Sequence, residues 1–459
     1  MTAVLSSRGH QAPGPRGLPL IGSARELRRD LLGLHLRAMR EHGDVVRFWA
    51  GPPGARLEFY TVYHPDAVQR VLASESGRYR KDNQFYEEVR RAFGDGVLSS
   101  QDERWHRQRR LTQPLFTKAR VAAAVPSIVA ETDRLAQRWH PAAGGDGMVD
   151  LHAEMTRLTM LVVGRTVFGA DFEEVLPVVN ETFLPLAEHT LKRGFTPLRT
   201  PRSWPTPANR RAADAQRTLY RVVDEIIARR RAAPTGTDDL LTLLLEARDP
   251  GTGQALDDAE IRDQVLLFLL AGYETTATTL TMALHLLGRH PEVQARVRAE
   301  VDTVLSGRTP VAGDLAGLGY TTRVVQEVTR LYPAAYIIGR RTPGGDRIGE
   351  FSIPPRADVY VCPWATHRHP EFWTHPDRFD PERFIPERAA TRHRYAWFPF
   401  GGGPRGCLGQ HFSIAESLTA IALLIRAYRI NTPPGDIPLA TRITLRPAGP
   451  VPCSITPTT

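Results

Sequence analysis

Between Phe398 and His411 the chain reads Phe-Pro-Phe-Gly-Gly-Gly-Pro-Arg-Gly-Cys-Leu-Gly-Gln-His. No other stretch restricts the fold as much. Gly401, Gly402, Gly403, Gly406 and Gly409 let the backbone approach something large and flat. Cys407 then stands at the entrance to a helical stretch. Free backbone N–H groups and the helix dipole at such a place stabilise a thiolate. Phe400 supplies an apolar side chain to shield the sulfur. A lone cysteine in a turn is equally compatible with a buried structural thiol, so the loop needs company before it names a chemistry.

The other two cysteines, Cys362 and Cys453, form no CxxC pair with each other or with Cys407. A disulfide framework and a zinc site are both disfavoured, and a reducing compartment is expected. Lys and Arg number 59 against 50 Asp and Glu, a net charge of +9. That mild excess suits an acidic partner or an anionic ligand, or simply an Arg-rich solvated surface. No aromatic residues interleave a basic tract, so no nucleic-acid partner is expected. The N-terminus lacks the apolar core of a signal peptide, and the most apolar run, 265–273, is too short to span a bilayer. The expectation is a cytoplasmic protein with no membrane anchor.

Length alone would allow several domains. The pattern along the chain instead suggests a Pro/Gly-rich lead-in over 1–22 and one mainly helical (α+β) domain over 23–459. A helix is expected over 24–42, then two strands over 44–51 and 57–63 around a Pro-Pro-Gly-Ala turn. Helical periodicity dominates 102–310, with the Arg-rich stretch 217–231 read as a solvated face. The strongest helix is 257–288: Asp257 and Glu260 form a capping-box pattern, and its interior is almost wholly apolar. Another helix ends before Pro333. Short strands are expected in 350–361, a long ordered coil over 365–406, and a hairpin in the last 25 residues. A coil that long is unusual in a compact domain and needs something to hold it.

Three polar constellations interrupt this frame. Glu274 and Thr275 lie inside the apolar helix, where a carboxylate is costly without partners. Ala271 and Thr275 are four apart and share a helix face; small side chains there leave room for a ligand, or for a water at a polar kink. Glu327 and Arg330 are three apart on one face, a pattern that many surface helices carry at little energetic value. Trp105 and Arg109 place an indole and a guanidinium on one face of a helix.

The loop containing Phe400, Gly403, Arg405, Cys407 and Gly409 resembles the cysteine loop of the cytochrome P-450 haem-thiolate family, and the likeness extends over nearly the whole chain. The resemblance implies that family's mainly helical fold with a smaller β-rich region. It implies haem b with Cys407 as the axial iron ligand, a donor that favours O–O bond cleavage and is tuned by the amides of Leu408, Gly409 and Gln410. Trp105, Arg109, Arg340 and Arg405 would bind the haem propionates, with Arg341 as an alternative to Arg340; arginine suits carboxylates because its fork is bidentate and always charged. Thr275 would hold oxygen and a water, and Glu274 would feed protons to it. Glu327, Arg330 and Arg383 would form a buried network that pins the coil behind the cysteine. Leu98, Ala271, Ala335, Ile337 and Ile443 would line an apolar substrate pocket, with 178–200 covering its entrance.

The chain ends soon after Cys407, so electrons are expected from separate proteins, a ferredoxin and its NADPH- or NADH-driven reductase. Arg104, Arg107 and Arg110 would offer a basic landing patch. The first functional reading is a monooxygenase that uses O2 to oxidise an apolar small molecule, terpene- or fatty-acid-like, in secondary metabolism. The alternatives are a haem-thiolate isomerase, peroxygenase or oxidative-coupling enzyme, or a haem-binding sensor without turnover. The Glu274–Thr275 pair favours the first, because haem-thiolate relatives that do not activate oxygen often lack it.

Overall fold

The computed structural model describes residues 10–143, 147–169, 176–196, 199–232 and 239–458. Sixteen α-helices, several of only one or two turns, and eleven strands organise these residues. The first expected helix is split: α1 (Ala24–Arg29) ends at Asp30, whose extended backbone breaks the ladder and whose carboxylate caps α2 (Leu31–His42) by accepting from Gly33 N at 3.0 Å. The two expected strands form, β1 (Val45–Ala50) antiparallel to β2 (Leu57–Val62). Then come α3 (Gln84–Phe93), α4 (Asp102–Thr112) and α5 (Lys118–Ala143). The short strand β3 (Met148–Asp150) leads to α6 (Leu151–Phe168), α7 (Leu176–Gly194), α8 (Pro207–Ala232) and α9 (Asp258–Arg289). Helices α10 (Pro291–Leu305) and α11 (Gly319–Leu331) follow.

Strands β4 (Ile338–Thr342), β5 (Asp346–Ile348), β6 (Phe351–Ile353) and β7 (Ala357–Val361) come next. Strand β7 inserts between β2 (parallel) and β4 (antiparallel), giving one sheet of order β1-β2-β7-β4. After the coil come α12 (Gln410–Ala427), β8 (Tyr428–Asn431), β9 (Leu439–Thr441), β10 (Leu445–Pro447) and β11 (Pro452–Pro457). Only β9 and β10 form the expected C-terminal hairpin; β11 leaves it to pair with β3 and β8. The Arg-rich face of α8 is likewise not wholly solvated. Arg230 is buried and bonds Asp239 at 2.6 Å.

Helix α9 starts as its spacing predicts. Asp257 accepts from Glu260 N at 2.8 Å, and Glu260 accepts from Asp257 N at 3.2 Å. It is the one described helix long and apolar enough to cross a bilayer, but 83% of its apolar window is buried inside the protein. It packs on α6, α11 and α12, and its C-terminal half sits in the largest core cluster with residues of α5, α10 and β8.

The long coil is ordered by charge. It carries only short helical turns, at Pro381–Phe384, Pro386–Ala390, Arg394–Ala396 and Gly403–Arg405. On α11, Arg330 and Glu327 are fully buried and doubly bonded, at 2.7 and 2.8 Å. Arg330 also donates to the carbonyls of His367 and Pro376, at 2.9 and 2.6 Å. Asp380 N donates to Glu327 at 2.9 Å, and Arg383 Nε lies 3.3 Å from the same carboxylate. Arg383 itself donates to the carbonyls of Thr374 and His375. One helical ion pair thus satisfies carbonyls the coil could not pair by itself. Truncating one member leaves the other charged and buried, a loss of roughly 3–5 kcal/mol. Arg330→Leu should therefore shift the urea unfolding midpoint far below wild type; a loss under about 1 kcal/mol would identify the pair as no better than a surface one.

Candidate active site

A cavity of about 610 Å³ lies between α9 and the cysteine loop. The loop is shaped by local backbone limits. Gly403 has φ +63°, and a Cβ there would come within 1.9 Å of the Leu72 carbonyl oxygen, so only glycine fits. Cys407 N donates to the Phe400 carbonyl at 2.9 Å, which closes the loop just before α12 begins. The Cys407 sulfur opens onto the cavity deep inside the protein. Burial raises its pKa, while the Gly409 amide, the Arg109 charge and the Gln410 amide oppose that. Of the three amides expected at the sulfur, Gly409 and Gln410 act on it.

Six cations line the same cavity: Arg120, Arg165, which pairs with Glu131, and four that hold backbone carbonyls, Lys81, Arg109, Arg340 and Arg405. Arg109 donates to the Gly406 carbonyl at 3.0 Å. Arg405 donates to the Ser100 carbonyl at 2.8 Å and stacks 3.9 Å over the ring of Trp105. Arg340 donates to the Gly339 carbonyl, and Lys81 to the Leu98 carbonyl, each at 2.8 Å. Among the described residues none of the four has a carboxylate within ion-pair distance. Burial, then the charges of Arg340 and Arg405, push the Lys81 ammonium well below its ordinary pKa. Burial and Arg340 bring Arg405 down to about 9. Uncompensated buried cations of this kind ask for an anionic group. A flat cofactor with two carboxylates beside a thiol fits these walls. Strand alternation separates the two adjacent arginines: Arg340 faces the cavity, whereas Arg341 bonds Asp358 at 2.7 Å.

Much of the remaining lining is apolar. Leu98, Ala271, Ala335, Ile337 and Ile443 all belong to it, and Phe85 adds an aromatic ring. Thr275 lines the cavity as well, with its hydroxyl donating to the Ala271 carbonyl at 2.7 Å. Thr276 also reaches the cavity but donates to Ser413 Oγ at 3.1 Å. Glu274 is absent from the lining. Its buried carboxylate turns to the C-terminal hairpin, where Thr444 Oγ1 donates to it at 2.6 Å and Arg446 Nη1 lies 3.3 Å away. Burial raises the Glu274 pKa, and the Thr444 and Arg446 contacts oppose that rise.

Lys81 and Thr444 line the cavity without having been singled out in the sequence. Nothing in their local spacing marks them, since each reaches the cavity through contacts remote in the chain. The expected basic landing patch is not free: Arg104, Arg107 and Arg110 face Asp95, Glu260 and Asp249 at 3.4, 2.8 and 2.9 Å. The three charges are matched one for one, which removes the excess that would attract an acidic carrier.

A concentrated charge cluster joins α3 to α7 and the chain beyond it. Glu88 on α3 has no exposed side-chain surface and pairs with Arg193 of α7 and with Arg199, both at 2.9 Å, and with Arg202. Burial would raise its pKa, but the Arg202 and Arg193 bonds prevail and hold it at about 2.

The cytochrome P450 family model matches residues 12–450. Cyclooctat-9-en-7-ol 5-monooxygenase of Streptomyces melanosporofaciens is 35% identical over 92% of this chain and 90% of its own length. Pentalenene oxygenase of Streptomyces avermitilis is 34% identical over 92% and 91%. Among solved structures, the haem domain of cytochrome P450DA superposes with a TM-score of 0.88 at 27% identity, covering 98% of this chain and 99% of that one.

The Glu88 cluster gives a pH test. A carboxylate whose pKa falls from its ordinary 4.5 to about 2 on folding stabilises the fold fully above pH of about 5, and this contribution is lost as pH falls through about 2. Wild type should therefore exceed Glu88→Gln in thermal midpoint near neutrality, with the gap closing steadily on acidification. A gap that does not change with pH would show that the cluster holds Glu88 through packing alone.

Proposed function

The chain belongs to the cytochrome P450 family and is a P450 monooxygenase, and from that premise we propose that it uses haem b, ligated by Cys407, to oxidise an apolar terpene-like substrate in secondary metabolism. The observation that carries the reading is one cavity that brings together a thiol, four cations without a carboxylate at ion-pair distance, many apolar side chains and Thr275. With haem bound, the thiolate-ligated iron supplies O2 activation and oxygen transfer. The protein's residues do the rest. Arg109, Arg340, Arg405 and Lys81 hold the propionate carboxylates, and Trp105 supports Arg405 from below. Gly409 and Gln410 amides stabilise the Cys407 sulfur as an anion.

Leu98, Ala271, Ala335, Ile337 and Ile443 orient the substrate by shape and exclude water from it. Thr275 holds a water or oxygen beside Ala271, and Glu274 is the buried acid that supplies protons. Terpenes are favoured over fatty acids for two reasons. Two bacterial relatives of like length are named for terpene skeletons. The residues proposed to meet the substrate, Leu98, Ala271, Ala335, Ile337 and Ile443, carry no charge, so none of them would anchor a fatty-acid carboxylate. Electrons come from a ferredoxin and its reductase in the cytoplasm, and the acids that face Arg104, Arg107 and Arg110 leave α4 little free charge to attract an acidic carrier.

Titrating the purified enzyme with cyclic sesquiterpene and diterpene hydrocarbons, and with fatty acids, should give spectral shifts with the terpenes at lower concentration. Product formed under labelled O2 should carry one labelled oxygen atom. Unlabelled product would point to isomerase or coupling chemistry, and a fatty-acid preference would overturn the substrate class. Cys407→Ser should remove the long-wavelength carbon-monoxide difference band of a thiolate-ligated haem; a surviving band would overturn the ligand assignment.

A further inference from the structure

An acid that delivers protons to the cavity should reach it, and Glu274 does not. What stands between them is Thr444, which is buried, lines the cavity and bonds Glu274 Oε2 at 2.6 Å. We propose that Thr444 is the relay residue through which Glu274 passes protons into the cavity, beside Thr275. This rests on the monooxygenase reading and adds a residue to it.

The exchange balances without redox change. When Glu274 is ionised, the Thr444 hydroxyl donates to it. When Glu274 is protonated, the bond reverses: Oε2–H donates to Thr444 Oγ1, and the hydroxyl hydrogen turns to a water in the cavity. Transfer breaks the Glu274 O–H bond, forms a new one on Thr444 and moves the old hydroxyl proton to that water. Glu274 is left as a carboxylate and regains its proton from solvent hydronium. Arg446 and Arg442 of the C-terminal hairpin are the cations facing the carboxylate, and Tyr273 is its titratable neighbour along α9. On α6, His152 faces Arg446. Arg446 favours the carboxylate left after transfer, while burial favours the acid before it, so the site accommodates both states. Thr275 cannot substitute for the relay, because its hydroxyl is committed to the Ala271 carbonyl on the neighbouring turn.

The test combines a spectroscopic and a kinetic readout. Infrared titration of the resting, haem-loaded enzyme, without substrate, identifies the Glu274 carboxyl band by its loss in Glu274→Gln. Thr444→Val keeps the shape and removes the hydroxyl. It should move the band to higher frequency and raise its titration midpoint, and Thr444→Ser should restore both. With the tightest-binding terpene, Thr444→Val should lower product per NADPH about tenfold or more, diverting electrons to hydrogen peroxide. Spectral affinity should stay within about twofold, which a merely structural residue would not ensure. Thr444→Ser should again recover coupling.

An unshifted band together with wild-type coupling in Thr444→Val overturns the relay. So does a folded Thr444→Ser enzyme that remains as uncoupled as the valine variant. If Glu274→Gln and Thr275→Ala also stay fully coupled, the acid–alcohol reading itself has failed. If those two uncouple and Thr444→Val does not, only the relay is wrong.

Discussion

Four of the cations that line the cavity have no carboxylate within ion-pair distance among the described residues. Lys81 precedes α3, Arg109 lies on α4, Arg340 on β4 and Arg405 in the cysteine loop. Burial weakens the charged state of each of them, and repulsion from the neighbouring cations adds to it at Lys81 and Arg405. A dianionic cofactor reverses all four penalties at once and joins four distant parts of the chain. Binding of such a group is then folding energy as well as catalysis, since anything bound only by the native state stabilises it. The same positive field lowers the cost of a thiolate at Cys407, on which Arg109 and Lys81 both act. Cofactor affinity and ligand ionisation therefore have a common electrostatic origin.

The cysteine loop in turn depends on the network behind it, and His367 makes the connection. Its Nδ1 faces the Arg330 carbonyl at 3.3 Å, and its Nε2 lies 2.9 Å from Phe398 N. A backbone N–H can only donate, so Nε2 must be the unprotonated nitrogen and Nδ1 the donor. The ring must therefore be neutral. Burial and the nearby Arg330 charge enforce this by pushing its pKa well below the ordinary value. The charge on Arg330 orders the coil through carbonyls and also fixes the tautomer that holds Phe398, two residues before Phe400. Loop geometry at the sulfur is thus set from a helix on the far side of the coil.

Features written in short spacing were legible in advance. The capping box at Asp257, the Glu327–Arg330 pair and the glycine pattern around Cys407 all lie within about a dozen residues, where helix and turn geometry is fixed by local rules. Contacts between remote segments were not. Glu274 and Thr444 are 170 positions apart, and Arg109 and Gly406 are 297 apart. The sequence carries no sign of those pairings. The same reason explains the failed expectations. Arg104, Arg107 and Arg110 look free along α4 because their acids lie elsewhere in the chain. The helix over 24–42 looks continuous because Asp30 breaks it through its backbone while capping the next turn. Choosing Arg340 over Arg341 required knowing which face of β4 meets the cavity.

The cavity wall beside α3 follows a different logic from the interior. An apolar substrate makes few directional bonds, so it cannot itself fix the position of the walls around it. Here that task falls to polar groups outside the pocket. Glu88 gathers arginines from α7 and the chain beyond it, while Gln84 donates to the Arg193 and Thr196 carbonyls at 2.8 and 2.9 Å. Phe85 lies between these two residues in sequence and faces the cavity, packed against Phe195. One short helix thus holds a hydrophobic contact in register by charged bonds on its other faces. Because those bonds exist before any ligand arrives, the shape of this part of the cavity is set by the protein.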